Sequence, residues 1–221
     1  MSDDSKGYAV RPNADEIPCP FLLTAYNNGD LVPEEDGTLH QEMIDEALAR
    51  VGLAERVRSR LVRVVIRGAD DSPTTLNLFR LRDSKIDHTG STGIRDPKVD
   101  PEKLPDLLAF GEDGRMYRRH FAKAVSHFGR QDPGIKGTVV QTAEVTALLE
   151  VFGRKDEDGE RYLTEEDVRG LWLEGRYPEG WTPRPRDSIG VAGFLASWAK
   201  TGAQRLVERW KDLLRRSPRS E

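Results

Sequence analysis

The sequence predicts an all-α fold, a single-domain helical bundle with few or no short strands. Most of its apolar residues recur at spacings of three and four residues rather than in alternation, which is the helical pattern. Glycine follows several of these stripes, as is common just past the end of a helix. The 221 residues, of which 37% are hydrophobic and 33% charged, have the size and composition of one globular domain spanning 1–221.

The apolar stripes place four helices before a long final one. They are predicted at 43–51 before Gly52, 117–128 before Gly129, 138–152 before Gly153, and 164–173. Thr164 is the expected N-cap of the fourth helix, and Asp167 stands where a capping box has its acidic partner. Short strands are candidates at 61–66 and 75–81. Loops rich in Gly, Pro and Asp are expected at 27–38, 83–103, 129–137 and 175–187.

The final helix is predicted to run from about 188 to 216, and Gly202 could interrupt it. Residues 1–50 carry eleven acidic and three basic side chains, whereas 205–221 carry six basic and three acidic ones, most simply a solvated face. No apolar stretch approaches the about 20 residues of a membrane span, and the first residues lack the pattern of a secretory signal. We therefore expect a cytoplasmic protein with no membrane or nucleic-acid partner.

The only cysteine, Cys19, lies between Pro18 and Pro20. Pro20 holds Cys19 extended and suits the first turn of a helix, so Cys19 is the predicted N-cap. Its sulfur would then lie near unpaired N–H groups, which favours the thiolate. Such a thiolate could be a nucleophile, a redox sensor or a haem ligand, and the simpler alternative is a small buried apolar residue.

A polar turn is predicted around Asp87-His88-Thr89-Gly90-Ser91, which Arg95-Asp96 follows. Its glycines are too sparse for a phosphate-binding loop.

Glu144 falls on the apolar face of the helix at 138–152, together with Val140, Ala147, Leu148 and Val151. A carboxylate there is costly unless it is paired or functional, so it is either a catalytic acid or the partner of an arginine inside the bundle. Glu150 is turned about 120° away and is predicted to be solvated.

Two further patterns are weaker candidates for metal sites. His120 and His127 are seven residues apart on one flank of a helix, where a position at the boundary between core and solvent explains them. The run Asp156-Glu157-Asp158-Gly159 is predicted to be an acidic turn, because the positions after it lack the spacing of an EF-hand loop.

In combination, these motifs resemble those of the haem-thiolate peroxidase family that includes chloroperoxidase and the fungal peroxygenases. The resemblance covers 8–187 and leaves 188–221 as a C-terminal helical extension. The similar segments are Pro18-Cys19-Pro20 with Asn27-Asn28-Gly29 and Leu31, Asp87 to Ser91 with Arg95-Asp96, Glu144 to Leu149, and Gly175 to Trp181. The departures are Leu23 where the family commonly has Asn, Asn28 where it has His, Asp87 where it has Glu, and Thr89 where it has Asp.

The resemblance implies a bundle that encloses haem b, with Cys19 as the axial iron ligand, Glu144 as the distal acid and base, and His88 positioning Glu144. It also implies that Asp87, the His88 backbone carbonyl and Ser91 hold a magnesium or manganese ion beside a haem propionate. The implied activity is oxidation of a small organic substrate by hydrogen peroxide, and peroxygenation, one-electron oxidation and halogenation stay open. The alternatives are a haem-binding sensor or carrier without turnover, and a haem-free helical module that binds a partner.

Overall fold

A computed structural model describes residues 11–68, 72–83, 101–128 and 134–216. Within them the helices are α1 (Pro20–Asn27), α2 (Gln41–Arg50), α3 (Glu55–Gly68), α4 (Lys103–Leu108), α5 (Arg118–Phe128), α6 (Gly134–Phe152), α7 (Glu165–Arg169) and α8 (Val191–Arg216). The strands are β1 (Thr38–His40), β2 (Thr75–Asn77), β3 (Arg115–Tyr117), β4 (Arg154–Lys155) and β5 (Arg161–Thr164). Short 3-10 helices lie at Ala14–Glu16 and Leu78–Asp83, and a π-helical turn at Gly170–Glu174 follows α7.

The fold is mostly helical, as predicted, but it is not purely all-α, because two small antiparallel sheets tie helical segments together. β1 pairs with β2 so that Leu39 lies opposite Leu76. In the second sheet β5 lies between β3 and β4, with Met116 opposite Leu163. These buried cross-strand pairs place apolar side chains from distant parts of the chain in the common core.

The two predicted strands have different outcomes. The strand at 61–66 is wrong, because these residues lie within α3. Val62 and Ile66 are both buried there, and their spacing of four residues is the helical one. In the segment 75–81, only Thr75–Asn77 is a strand, and the chain then turns into a 3-10 helix.

The corner between α2 and α3 anchors the segment that leads into α8. Gly52 has φ +90°, and its carbonyl accepts a hydrogen bond from Ile189 N at 2.7 Å. The buried Arg58 guanidinium donates from Nη1 to the Leu53 carbonyl at 2.8 Å and pairs with Asp187 at 3.0 Å. Because Ile189 is held in this bridge, α8 begins at Val191 rather than near 188 as predicted.

The helices α5, α6 and α8 pack against one another and form the other side of the core. The structure places α6 four residues earlier than the predicted start at 138. It also shows that α8 is a single helix, so the predicted break at Gly202 is wrong. Among the described residues, no helix has both the length and the apolar character needed to cross a membrane.

The predicted capping box at the start of α7 is confirmed. Asp167 N donates to Thr164 Oγ1 at 3.1 Å, and Thr164 N donates to Asp167 Oδ2 at 3.0 Å. Asp167 also receives both Nε and Nη2 of Arg154, so the carboxylate is buried but satisfied. The acidic run 156–159 forms the turn between β4 and β5, as expected.

Candidate functional site

Cys19 occupies the N-cap of α1, as the flanking prolines predicted. Its backbone is extended, with φ −83° and ψ 119°, and its carbonyl accepts the first hydrogen bond of the helix from Leu23 N at 2.9 Å. The residue is half-buried and packs against the hydrophobic core. The first N–H groups of a helix have no partner within it and carry a partial positive charge, which stabilises an anion at this end.

The other end of α1 is attached to the turn that follows the π-helical segment. Asn27 Nδ2 donates to the Glu174 carbonyl at 3.1 Å, and Asn28 Nδ2 donates to the Gly175 carbonyl at 3.3 Å. Gly175 has φ +61°, and a Cβ on it would overlap Asn27 Nδ2 and Leu23 Cγ. Only glycine fits at this position. The two hydrogen bonds show that the motif Asn27-Asn28-Gly29 lies in direct contact with the segment around Gly175.

A half-buried tyrosine strengthens this junction. The Tyr177 hydroxyl donates to Asp30 Oδ2, and Arg50 Nη1 donates to Asp30 Oδ1 at 2.9 Å. Burial and the adjacent Asp30 carboxylate raise the pKa of Tyr177 well above its ordinary value, so the phenol stays protonated and continues to donate.

Four aromatic rings connect α1, α6 and the segment that starts at Gly175. The Phe21 ring, in the first turn of α1, lies 6.4 Å from that of Phe152 at the end of α6, measured between centroids. Phe152 in turn lies 5.8 Å from Tyr177 and 5.3 Å from Trp181, and the last two rings stack at 4.5 Å. The cluster fixes the Cys19 end of α1 against α6 and the segment after Gly175.

Glu144 lies on α6 eight residues before Phe152, which corresponds to about 12 Å along the helix axis. Its Oε2 atom is buried, and the neighbouring Leu148 and Val151 belong to the core. Leu148 and Val151 therefore confirm the predicted apolar face at these two positions. One oxygen of the Glu144 carboxyl group is thus shielded from water, although the residue as a whole is half-buried.

The second predicted motif, with Asp87, His88, Ser91, Arg95 and Asp96, lies outside the described residues. The proposed ion site and the contact between His88 and Glu144 therefore stay predictions. Within the described parts of the chain, no group of three or more His, Cys, Asp or Glu side chains is placed to hold a metal ion.

Comparison of the chain with models of known protein families and with curated proteins finds no match. Any proposal for the function therefore depends on the sequence motifs and on how the structure arranges them.

The prediction for Glu150 is wrong, because its carboxylate is only 15% exposed and lies in an ionic cluster. Arg161 Nε lies 2.9 Å from Oε2, Arg118 Nη2 lies 3.5 Å from Oε1, and Ser197 Oγ donates to Oε1 at 2.6 Å. Burial lowers the pKa of the Arg118 guanidinium, although the adjacent Glu150 charge opposes this. Local periodicity placed Glu150 away from the core, but α8 covers that side of α6.

This cluster lines one wall of a cleft of about 660 Å³ between α6, α8 and the β4–β5 hairpin. The apolar periodicity of α6 and α8 does not predict this cleft. The signal that could have indicated it is the pair Ser197 and Thr201, two hydroxyl residues one turn apart in a helix otherwise read as apolar.

The two histidines of α5 differ in environment. His127 is exposed, but His120 is only 3% exposed, so its predicted boundary position is wrong. His120 Nδ1 lies 3.2 Å from the Arg115 carbonyl and 3.3 Å from Tyr117 N. Burial, with a further contribution from the positive charge of Arg119, lowers the pKa of His120. The ring is thus a buried neutral group of the β3–α5 turn.

Proposed function

We propose that this protein is a haem-thiolate peroxidase or peroxygenase that uses hydrogen peroxide to oxidise a small organic substrate. The observation that carries the proposal is the N-cap position of Cys19, in a helix whose first turn lies against Phe152 of α6, the helix that also carries Glu144. The resemblance supplies the order of the motifs, and the aromatic cluster supports their spatial association.

Cys19 supplies the type of donor that thiolate ligation of a haem requires. Cys19 is half-buried, so its sulfur is neither sealed in the core nor fully in water. The positive end of α1 favours the anionic sulfur, as a thiolate ligand requires. In this proposal Cys19 would hold the iron of haem b through its thiolate, and the bound haem would supply the cleavage of the peroxide O–O bond.

Glu144 would act as the proton carrier. Its carboxylate would accept a proton from the inner oxygen of hydrogen peroxide and return it to the departing outer oxygen, which then leaves as water. The buried Oε2 suits this role because bulk water does not compete for the proton. His88 would position this carboxylate, and Asp87, His88 and Ser91 would hold Mg²⁺ or Mn²⁺, as the resemblance implies.

The contacts around Gly175 would keep Cys19 and Glu144 in fixed positions relative to each other. Asn27 and Asn28 fasten the end of α1, while Phe21 packs its beginning against Phe152 on the helix that carries Glu144. A fixed spacing between ligand and acid is what positioned proton transfer needs.

The deciding experiment is the absorption spectrum of the purified protein, produced with a haem precursor, reduced and exposed to carbon monoxide. A red-shifted Soret band of the thiolate type is expected, and Cys19→Ala should abolish it. Cys19→His is a useful companion, because it should retain haem with a band of the histidine type. A colourless protein, or a histidine-type band in the unaltered chain, would refute the proposal and favour the haem-free interaction module.

The role of Glu144 is tested by Glu144→Gln, which should keep the thiolate-type band but slow peroxide turnover by roughly 10²-fold. Glu46→Gln is the matched control, since it makes the same change in a surface ion pair, where Glu46 is 50% exposed. It should preserve the turnover of folded protein. Thiolate-bound haem without any peroxide turnover in the unaltered protein would favour a sensor or carrier instead.

A further inference from the structure

The last helix, α8, docks on the protein through a largely polar face. Ser197 and Thr201 are 5% and 1% exposed. Thr201 Oγ1 receives Arg118 Nη1 at 2.7 Å and lies 3.0 Å from Thr146 Oγ1 of α6. One turn further, Arg205 Nη1 donates to Thr142 Oγ1 at 2.7 Å. Phe194, at 7% exposed, is the buried apolar residue of this face near the start of the helix. A surface helix normally buries its apolar stripe and exposes its polar one, so the remainder of α8 from Ser197 to Arg205 is oriented in the opposite way.

The outward face of α8 is apolar over five turns. At 100° per residue, its members fall within an arc of about 120°, roughly opposite the docking face. Four of them are large and well exposed: Leu195 at 46%, Leu206 at 61%, Val207 at 52% and Trp210 at 65%. The alanines between them, also exposed, are Ala192, Ala196, Ala199 and Ala203. We call these eight residues the outer face; it is about 27 Å long.

Basic residues are frequent along α8, although one of them, Arg205, lies on the docking face and donates to Thr142. From Lys200 to Arg216 the sequence has six basic and two acidic residues, although the whole chain carries a net charge of −4. Lys200 is exposed and borders the outer face. Positive charge is thus concentrated on the helix that also exposes leucine, valine and tryptophan.

We propose that the outer face of α8 binds the surface of an anionic lipid membrane, with the helix lying in the plane of the interface. Leucine, valine and tryptophan would enter the boundary between headgroups and acyl chains, and the basic residues would meet the acidic headgroups. This proposal departs from the expectation of no membrane partner, which was based on the lack of a spanning segment. Lying on a surface does not require a span.

The charge distribution favours a lipid surface over a second copy of the chain. Another α8 would bring the same excess of positive charge to the contact, whereas acidic headgroups neutralise it. An exposed tryptophan beside basic residues is also typical of helices at membrane interfaces. The inference does not depend on haem or peroxide chemistry, so it can fail or succeed independently of the proposed activity.

The test is co-sedimentation of the full chain with vesicles of phosphatidylcholine alone and of an equal mixture with phosphatidylglycerol. We expect binding to the anionic vesicles, weakened at least tenfold on the neutral ones and similarly weakened by high salt. Lys200→Gln should weaken binding by about fivefold at low salt, as expected for one basic residue near an anionic surface.

Val207→Asp tests the outer face directly, and Val32→Asp is its matched control. Both valines are exposed to a similar extent, 52% and 58%, but Val32 lies in the loop before β1. Val207→Asp should weaken vesicle binding at least tenfold, through lost apolar burial and added repulsion, whereas Val32→Asp should bind like the unaltered protein. Unchanged circular dichroism would confirm that both variants fold.

Depth of insertion is measured with lipids brominated on the acyl chain, which quench tryptophan fluorescence at short range. Trp210 should be quenched, and the quenching should disappear in Trp210→Phe, because Trp172 is only 1% exposed and the remaining tryptophans are partly buried.

Three outcomes would overturn the proposal. One is equal binding to neutral and anionic vesicles, and another is undiminished binding by Val207→Asp. The third is an absence of vesicle binding together with a dimer, seen by analytical ultracentrifugation, that Val207→Asp dissociates. That result would assign the outer face to a second copy.

Discussion

Replacing Glu150 with glutamine should destabilise the fold by about 3 kcal/mol. The Glu150 carboxylate faces two guanidinium groups, at 2.9 Å from Arg161 Nε and 3.5 Å from Arg118 Nη2. The side chains of Arg118 and Arg161 are only 9% and 15% exposed. Glutamine preserves the volume, but it leaves two largely buried positive charges without the negative charge that offsets them.

The magnitude follows from the burial of the cluster. Removing one partner of a buried ion pair costs about 3–5 kcal/mol, because the other charge stays desolvated. Glu150 is 15% exposed, and an amide oxygen can still accept the hydrogen bond from Ser197 Oγ, so we expect the lower limit of this range. For a chain of this size, about 3 kcal/mol corresponds to a decrease in Tm of about 6–12 °C.

Urea unfolding followed by circular dichroism measures the change, and Glu46→Gln is the control. Glu46 is 50% exposed and lies 3.3 Å from Arg186, so breaking this surface pair should cost less than about 1 kcal/mol. Adding Arg118→Met to Glu150→Gln should cost less than the sum of the two single changes, since one unpaired charge is removed. If Glu150→Gln were as stable as Glu46→Gln, the ionic cluster would not stabilise the fold as argued here.

Three further predictions concern single contacts. Gly175→Ala should destabilise the fold by about 2–3 kcal/mol, because the new Cβ overlaps Asn27 and the backbone has a positive φ. Gly114 also has a positive φ, but the space around its Cβ is open, so Gly114→Ala should cost only about 1 kcal/mol in the same urea assay. Thr164→Ala should lower the free energy of unfolding by about 1 kcal/mol, since it removes the N-cap of α7, and an unchanged midpoint would contradict this. Because the pKa of His120 is lowered in the fold, its contribution to stability is present above the unfolded pKa of roughly 6.5 and is lost as the pH falls through the lower folded pKa. Stability should therefore decline less on acidification in His120→Asn than in the unaltered chain, as measured by urea unfolding across this pH range.

Much of the helical fold could be predicted because its signals are local. The N-cap at Cys19 follows from proline chemistry, and the capping box of Thr164 and Asp167 follows from two residues at fixed spacing. The ends of α2 and α6 at Gly52 and Gly153 are likewise marked in the sequence. Each of these features depends on a few neighbouring residues and needs no knowledge of the tertiary structure.

The errors arise where the environment of a helix is decided by another element. Glu150 was placed in solvent because it lies off the apolar stripe of α6, yet α8 covers it with Ser197 and Arg118 completes its charge balance. The same reasoning fails for α8, which docks through hydroxyl groups such as that of Thr201 and exposes Trp210. A periodic pattern identifies two faces of a helix but not which of them is covered.

Two departures from the family pattern have structural explanations that leave the position of Cys19 intact. Leu23 is 2% exposed and lies against the place where Gly175 allows no Cβ. Asn28 donates to the Gly175 carbonyl at 3.3 Å and to the Thr24 carbonyl at 2.7 Å. Both residues therefore attach α1 to the turn at Gly175, and the attachment holds the helix that presents Cys19 at its N-cap.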